Sequence, residues 1–205
     1  MKLIETSLEG CSLIELRSDH DSRGSFTRGF DQSEFREFGL PDQVEYTAEA
    51  INHAAFTLRG LHFQSPRAPE PKLVRCIRGV IFDVVVDIRR ASPTFGQWQS
   101  IRLEADDHMA LLIQPGFAHG YLTLASTSVV AYHLFAPYVA DEQRGINWCD
   151  PDLAIDWPAS PRVISERDRN FPSLANLADE DLDFSSDLSF SEPHEFQIIN
   201  FKEVS

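Results

Sequence analysis

Leu73-Val74-Arg75-Cys76-Ile77, then Arg78-Gly79, then Val80-Ile81-Phe82-Asp83-Val84-Val85-Val86-Asp87-Ile88 is the stretch that decides the fold. Two β-branched apolar runs flank a glycine-containing turn, the layout of an antiparallel hairpin. Side chains alternate across a strand, so Val80, Phe82, Val84, Val86 and Ile88 share one face, and Ile81, Asp83, Val85 and Asp87 the other. Both faces are apolar enough to be buried. Outward from this run, the alternation predicts further short strands at 11–17, 26–30, 44–51, 57–64, 98–103, 110–113, 121–124 and 129–135. Residues 18–24 are rich in turn formers and read as a loop. A single short helix is predicted over 31–39, with Asp31 in front, Gly39 behind and Pro41 beyond. Many short strands and almost no helix make an all-β sandwich or jelly-roll barrel.

The chain has 205 residues, 42% of them hydrophobic and fifteen of them Phe, enough for one domain with a sizeable core. A net charge of -14 repels nucleic acid and anionic membranes, so an anionic ligand has to be held by a local basic cluster. The start MKLIETSLEG lacks the layout of a signal peptide, and no apolar run is long enough to span a bilayer. A cytoplasmic location is expected. Cys11, Cys76 and Cys149 are odd in number and far apart, which fits reduced thiols better than a disulfide framework or a zinc site. Beyond Pro172 the periodicity stops. Residues 173–205 hold eight acidic side chains and one lysine, about half of the net charge, and read as an acidic extension to a domain spanning 1–172. Phe190, Phe196, Ile198, Ile199 and Phe201 form a late apolar cluster able to dock.

The candidate site begins at Thr57-Leu58-Arg59-Gly60-Leu61-His62-Phe63-Gln64, where Arg59 and His62 interrupt an otherwise apolar strand and need polar company. Read singly, each candidate has a plain structural explanation. His62 can bond a neighbouring carbonyl, Lys72 can be surface charge, and Tyr132 can be a strand aromatic. His119 can belong to the turn at Pro115-Gly116, and Asp168 can cap a helix in Ser165-Glu166-Arg167-Asp168.

Taken together, TLRGLHFQ, KLVRCIRGVIFDVVVDIRRASPTFGQW, QPGFAHGYLTL, RGINWCDPDLAIDWP and ISERD occur in an order that resembles the dTDP-4-dehydrorhamnose 3,5-epimerase family, over residues 1–172. The resemblance implies a cupin jelly roll, usually a homodimer, that epimerises a 4-keto nucleotide-diphosphate sugar at C3, C5 or both without a cofactor. Proton removal beside a ketone needs a base, a group that orients it, a cation at the enolate oxygen and an acid on the opposite face. By resemblance these are His62; Asp168, with Asp83 as a second candidate; Lys72, helped by His119; and Tyr132. Arg23 and Arg59 would hold the diphosphate, Tyr138 would pack on the sugar or base, and Phe26 and Arg28 complete the substrate-binding set.

Many cupins bind metal through two histidines two residues apart, a glutamate and a later histidine. Here His62 is followed by Phe63-Gln64, and with Glu70 just ahead of the next strand only His119 remains, too few ligands for a metal. Relative to the family, Arg28 stands in the place of an acid, and Ala48 and Ala50 in the places of glutamine and asparagine that recognise thymidine. Alanine offers no hydrogen bond, and arginine offers donors, so a cytidine or guanosine diphosphate is expected to bind at least as well as thymidine diphosphate. Three other readings stand beside the epimerase: a nucleotide-sugar-binding cupin without chemistry, a cupin 3,4-ketoisomerase and a metal-dependent oxygenase.

Overall fold

The computed structural model describes residues 1–184. In chain order its strands are β1 (Lys2–Glu5), β2 (Cys11–Glu15), β3 (Ser18–Asp21), β4 (Gly24–Thr27), β5 (Tyr46–Asn52), β6 (Thr57–Gln64), β7 (Lys72–Arg78) and β8 (Val80–Asp87). They continue with β9 (Trp98–Glu104), β10 (Met109–Ile113), β11 (Phe117–Thr123), β12 (Ser128–Leu134), β13 (Gln143–Gly145) and β14 (Val163–Ile164). Two short α-helices accompany them, α1 (Gln32–Glu37) and α2 (Glu166–Arg169). One sheet runs β1-β2-β10-β7-β12-β5, and the facing sheet runs β13-β6-β11-β8-β9, with β14 beside β6. This is the jelly-roll sandwich expected from the strand pattern. Among the described residues no helix is long and apolar enough to cross a membrane.

The 73–88 stretch is not a hairpin. β7 pairs with β10 and β12, whereas β8 pairs with β11 and β9, so the chain changes sheets at Arg78-Gly79. Gly79 takes φ +78°, and its carbonyl accepts the Ala105 N–H instead of closing a two-strand ladder. The physical reason lies in burial on both faces. A strand apolar on both sides needs a layer above and a layer below, and each arm obtains them as an inner strand of a different sheet.

Three apolar layers result. Between the sheets, Val74 and Cys76 of β7 meet Ile81 and Val85 of β8, with Phe117, Tyr121 and Val130. On the outer side of the second sheet, Phe82, Val84 and Val86 lie under residues that follow β13, including Ile146, Leu153 and Trp157. Outside the first sheet, α1 places Phe35 against Ile14, Leu73 and Leu112, with Asp31 capping the helix by accepting from the Ser33 and Glu34 N–H groups.

Several segments depart from the sequence expectation. Residues 18–24, expected as a loop, contain strand β3 and the turn into β4, a two-stranded arm outside both sheets; its pairing is supplied by backbone and Ser18–Thr27 hydroxyl contacts, which apolar periodicity does not register. β11 starts at Phe117, so His119 is a strand residue and not a turn residue. The segment after Pro172 continues the barrel's own packing, because Leu174, Leu182 and Phe184 are buried in the outer layer. Its acids are used in ion pairs, Asp181 with Arg144 at 3.1 Å and Asp179 with Arg90. The late cluster from Phe190 to Phe201 lies outside the described residues.

Leu182 is fully buried. Leu182→Ala should therefore lower unfolding stability by about 2–5 kcal/mol, the usual range for such a core truncation. Urea unfolding at the wild-type midpoint would show that residues beyond 172 are not part of the core.

Candidate active site

β6 and β11 lie side by side with His62 opposite His119. Their backbones approach so closely at Gly60 and Gly120 that a Cβ on Gly60 would sit 2.5 Å from the Gly120 Cα. Gly60 also holds φ +130°, open to glycine alone. The glycine of the RGLH run is therefore a steric condition for bringing the two imidazoles onto one wall.

Asp168 arrives from the other end of the chain on α2, where Ser165 is the N-cap and accepts the Asp168 N–H at 3.0 Å. One carboxylate oxygen of Asp168 lies 2.8 Å from His62 Nε2, and the other accepts the Gly60 N–H at 3.0 Å. Burial alone would raise the Asp168 pKa, but the His62 hydrogen bond and charge, with the Gly60 N–H, hold it down at about 2. An ionised carboxylate only accepts. His62 Nε2 must then carry the proton, which leaves the lone pair on Nδ1. Arg167 Nη2, 3.3 Å from Nε2, finds no lone pair there and acts through its charge. Burial lowers the His62 pKa below 6.5; Asp168 opposes this, and Arg167 and Lys72 reinforce it. The imidazole is thus neutral and basic at neutral pH.

Asp83, the second candidate for orienting His62, belongs to His119 instead: its two oxygens lie 3.0 and 3.1 Å from His119 Nε2. Strand register explains the choice, because Asp83 is opposite Tyr121 on the adjacent β8 and so sits beside His119. Tyr132 comes from the facing sheet, and its ring meets His119 edge-on at 6.3 Å. Burial, then the neighbouring Tyr121 and Asp83, push the Tyr132 pKa well above 10, so its phenol stays protonated. Lys72, expected at the enolate, is buried at the start of β7 on the same inward side as Val74 and Cys76. Burial lowers its pKa, while Glu70 and Asp83 pull it back up.

Arg59 is held by Asn52, whose Oδ1 accepts from Arg59 Nε at 2.9 Å. It lines a cavity of about 500 Å³ with His62, Ser165, Arg167 and Asp168, a size suited to a small-molecule ligand. Tyr138 is half exposed, in a turn that Gln64 clamps by donating to the Pro137 carbonyl and accepting the Val139 N–H. Ala48 and Ala50 share the face of β5 that carries the buried Asn52. Among the described residues no three His, Cys, Asp or Glu side chains converge as a metal-ligand set.

Three expected substrate-binding residues are not brought to this cavity by their own chain. Arg23 is exposed and paired with Asp21, Phe26 is 69% exposed, and Arg28 donates to Asp31 at 2.8 Å. The β3–β4 arm that carries the first two is anchored at His108, just before β10, whereas Lys72 pairs with Ile113 at the far end of that strand. Residues not foreseen from the sequence are Asn52, Arg167, Tyr121 and the Glu70–Tyr46 pair. Tyr121 was within reach of the two-residue period that also places His119; the others depend on neighbours distant in sequence.

A family model described as dTDP-4-dehydrorhamnose 3,5-epimerase matches residues 5–176. The chain belongs to the dTDP-4-dehydrorhamnose 3,5-epimerase family. A dTDP-4-dehydrorhamnose 3,5-epimerase of Sinorhizobium fredii is 40% identical over 172 residues, covering 83% of this chain and 88% of the relative. The crystal structure of a dTDP-6-deoxy-D-glucose-3,5-epimerase from Legionella pneumophila, in complex with dTDP-4-keto-L-rhamnose, superposes with a TM-score of 0.85 at 33% identity, covering 90% of this chain and 98% of that one. A 3'-monoepimerase from Streptomyces bikiniensis, in complex with dTDP-quinovose, has a TM-score of 0.77 at 33% identity, covering 83% and 86%. Membership makes the chain an isomerase and supports an epimerase over the binding-cupin and ketoisomerase readings.

The His62 environment has a direct test in the imidazole NMR titration. The wild-type midpoint should lie below 6.5, and Arg167→Gln, which removes a positive neighbour of the imidazolium, should move it upward. Asp168 titrates in the opposite sense. Its stabilising contribution is complete above the unfolded value near 3.8 and is lost as pH falls through about 2. An unmoved midpoint in Arg167→Gln would remove Arg167 from the account.

Proposed function

We propose that the protein epimerises a dTDP-4-keto-6-deoxyhexose at a carbon beside the ketone, with His62 as base and Tyr132 as acid. The single observation that carries the reading is their placement: the Asp168-held His62 stands on one sheet, and the protonated Tyr132 comes from the sheet facing it. In the first step the C–H bond breaks and its proton passes to His62 Nδ1. The electron pair moves to the C4 oxygen, where the Lys72 ammonium stabilises the enolate. Tyr132 then protonates the carbon from the opposite face, inverting it; the His62 imidazolium gives its proton to solvent and the phenolate takes one back, which restores both groups. Arg59 holds the diphosphate and Tyr138 packs at the rim.

Thymidine is the base best supported. The expectation of cytidine or guanosine rested partly on Arg28, and that guanidinium is engaged by Asp31, while the relatives described above hold thymidine sugars. Three free cysteines fit the reducing cytoplasm.

The β3–β4 arm supports a homodimer. Arg23, Phe26 and Arg28 are far from the cavity of their own chain yet belong to the substrate-binding set by resemblance. In a dimer the arm, with Arg28 directly after it, delivers them to the partner's cavity.

Incubation with substrate in heavy water separates the roles. His62→Asn should lose deuterium incorporation by at least about 10²-fold, the lower end for a general base. Tyr132→Phe should keep exchange on the base side and lose inverted product. Equal loss of both in Tyr132→Phe would sink the acid assignment.

Mixing tests the arm. Arg23→Ala and His62→Asn chains, each weakly active alone, should regain activity when hybrid dimers form, because one hybrid site then has both residues intact. No recovery, with exchange of subunits verified by mass, would return Arg23 to its own chain's site or to none.

A further inference from the structure

Glu70 has no part in the proposed proton transfers, yet it is an acid with a buried side chain just ahead of β7. Its side chain is 7% exposed and that of Lys72 10%, and one Glu70 oxygen lies 3.8 Å from the Lys72 ammonium. The other accepts a hydrogen bond from the Tyr46 hydroxyl of β5 at 3.3 Å. The charged and titratable groups facing Lys72 are Glu70, Asp83 on β8 and His62 on β6, with Tyr46 and Tyr138 behind Glu70.

We propose that Glu70 is a positioning residue for Lys72, keeping its ammonium charged and placed inside the barrel while leaving its donors free for the substrate oxygen. A lysine buried without an anion sheds its proton, because desolvation disfavours the charged form. An anion in close contact would preserve the charge but consume the donors. At 3.8 Å the carboxylate supplies charge without a hydrogen bond, and among the described residues the Lys72 ammonium makes none. Asp83 is the second and weaker anion, and its two oxygens are bonded to His119. Tyr46 keeps Glu70 from swinging toward Lys72. The Lys72 titration follows the same balance, with burial lowering it and Glu70 the first of the groups that raise it. The inference rests on the reading of Lys72 as the cation at the enolate.

Lys2, Lys72 and Lys202 are the lysines of the chain. The Lys72 side-chain carbon signal can therefore be assigned by its disappearance in Lys72→Arg and followed through a pH titration. Glu70→Gln keeps the shape and the bond from Tyr46 but removes the charge. In this variant the Lys72 midpoint should fall by about one pH unit or more, a tenfold loss of proton affinity. The alkaline limb of the epimerisation rate should fall with it, because the Tyr132 phenol titrates far higher. Glu70→Asp should restore part of the shift. Should the glutamine variant not fold, Glu70→Ala serves for the same titration. A role confined to packing predicts a wild-type Lys72 midpoint in Glu70→Gln, and that result would overturn the proposal. Failure of the underlying reading looks different: Lys72→Met would then epimerise at the wild-type rate whatever Glu70 does.

Discussion

The carboxylate of Asp168 is the interaction on which the site depends. It joins residues 106 apart in sequence, bonding the His62 ring with one oxygen and the backbone of Gly60 with the other. A buried charge without partners is costly, and removing one member of such a pair typically costs ~3–5 kcal/mol. Here both oxygens are satisfied, so the carboxylate stays ionised and dictates the imidazole tautomer. The same contact pins the short helix α2 to β6, so the wall of the cavity and the orientation of the base have one cause.

Around that contact, the space between the sheets sets the protonation states. Burial disfavours charge, which lowers His62 and Lys72 and raises Tyr132. The outcome is an unprotonated imidazole on one sheet and a protonated phenol from the facing one, the pairing of states that the proposed proton transfers require. In the proposed reaction, a substrate held between the two sheets would present opposite faces of one carbon to opposite walls. Arg59 and Lys72 reach the same space by different means. Asn52 anchors the first by a direct hydrogen bond, and the second sits 3.8 Å from a Glu70 oxygen.

Much of this was legible before the structure. Alternation in Val80 to Ile88 correctly showed two buried faces, and the jelly-roll class followed from the number and length of the strands. Candidates for the site were legible because their motifs recur in a recognisable order, and the structure brings His62, Asp168 and Arg59 of that set to one cavity. The alternation also suggested a β7–β8 hairpin that the structure lacks, since local alternation says that a strand is buried and not which strands lie beside it. Asp83 illustrates the same limit. The resemblance made it a second candidate for orienting His62, and only the register of β8 against β11 decided that its partner is His119.

What the sequence by itself determined was the all-β class, the burial of both sides of the 80–88 run, the membership of the family and the residue types available for acid-base chemistry. These depend on periodicity and on side-chain chemistry, which are properties of the chain alone. Tertiary structure decided which sheet each arm of the 73–88 stretch joins, which carboxylate serves which histidine, and that Arg23, Phe26 and Arg28 lie far from their own cavity. It also decided that the acidic segment from Leu174 to Phe184 closes over the barrel. Such outcomes turn on contacts between residues far apart in sequence, where register, burial and the reach of a side chain select one partner among several that the chain offers.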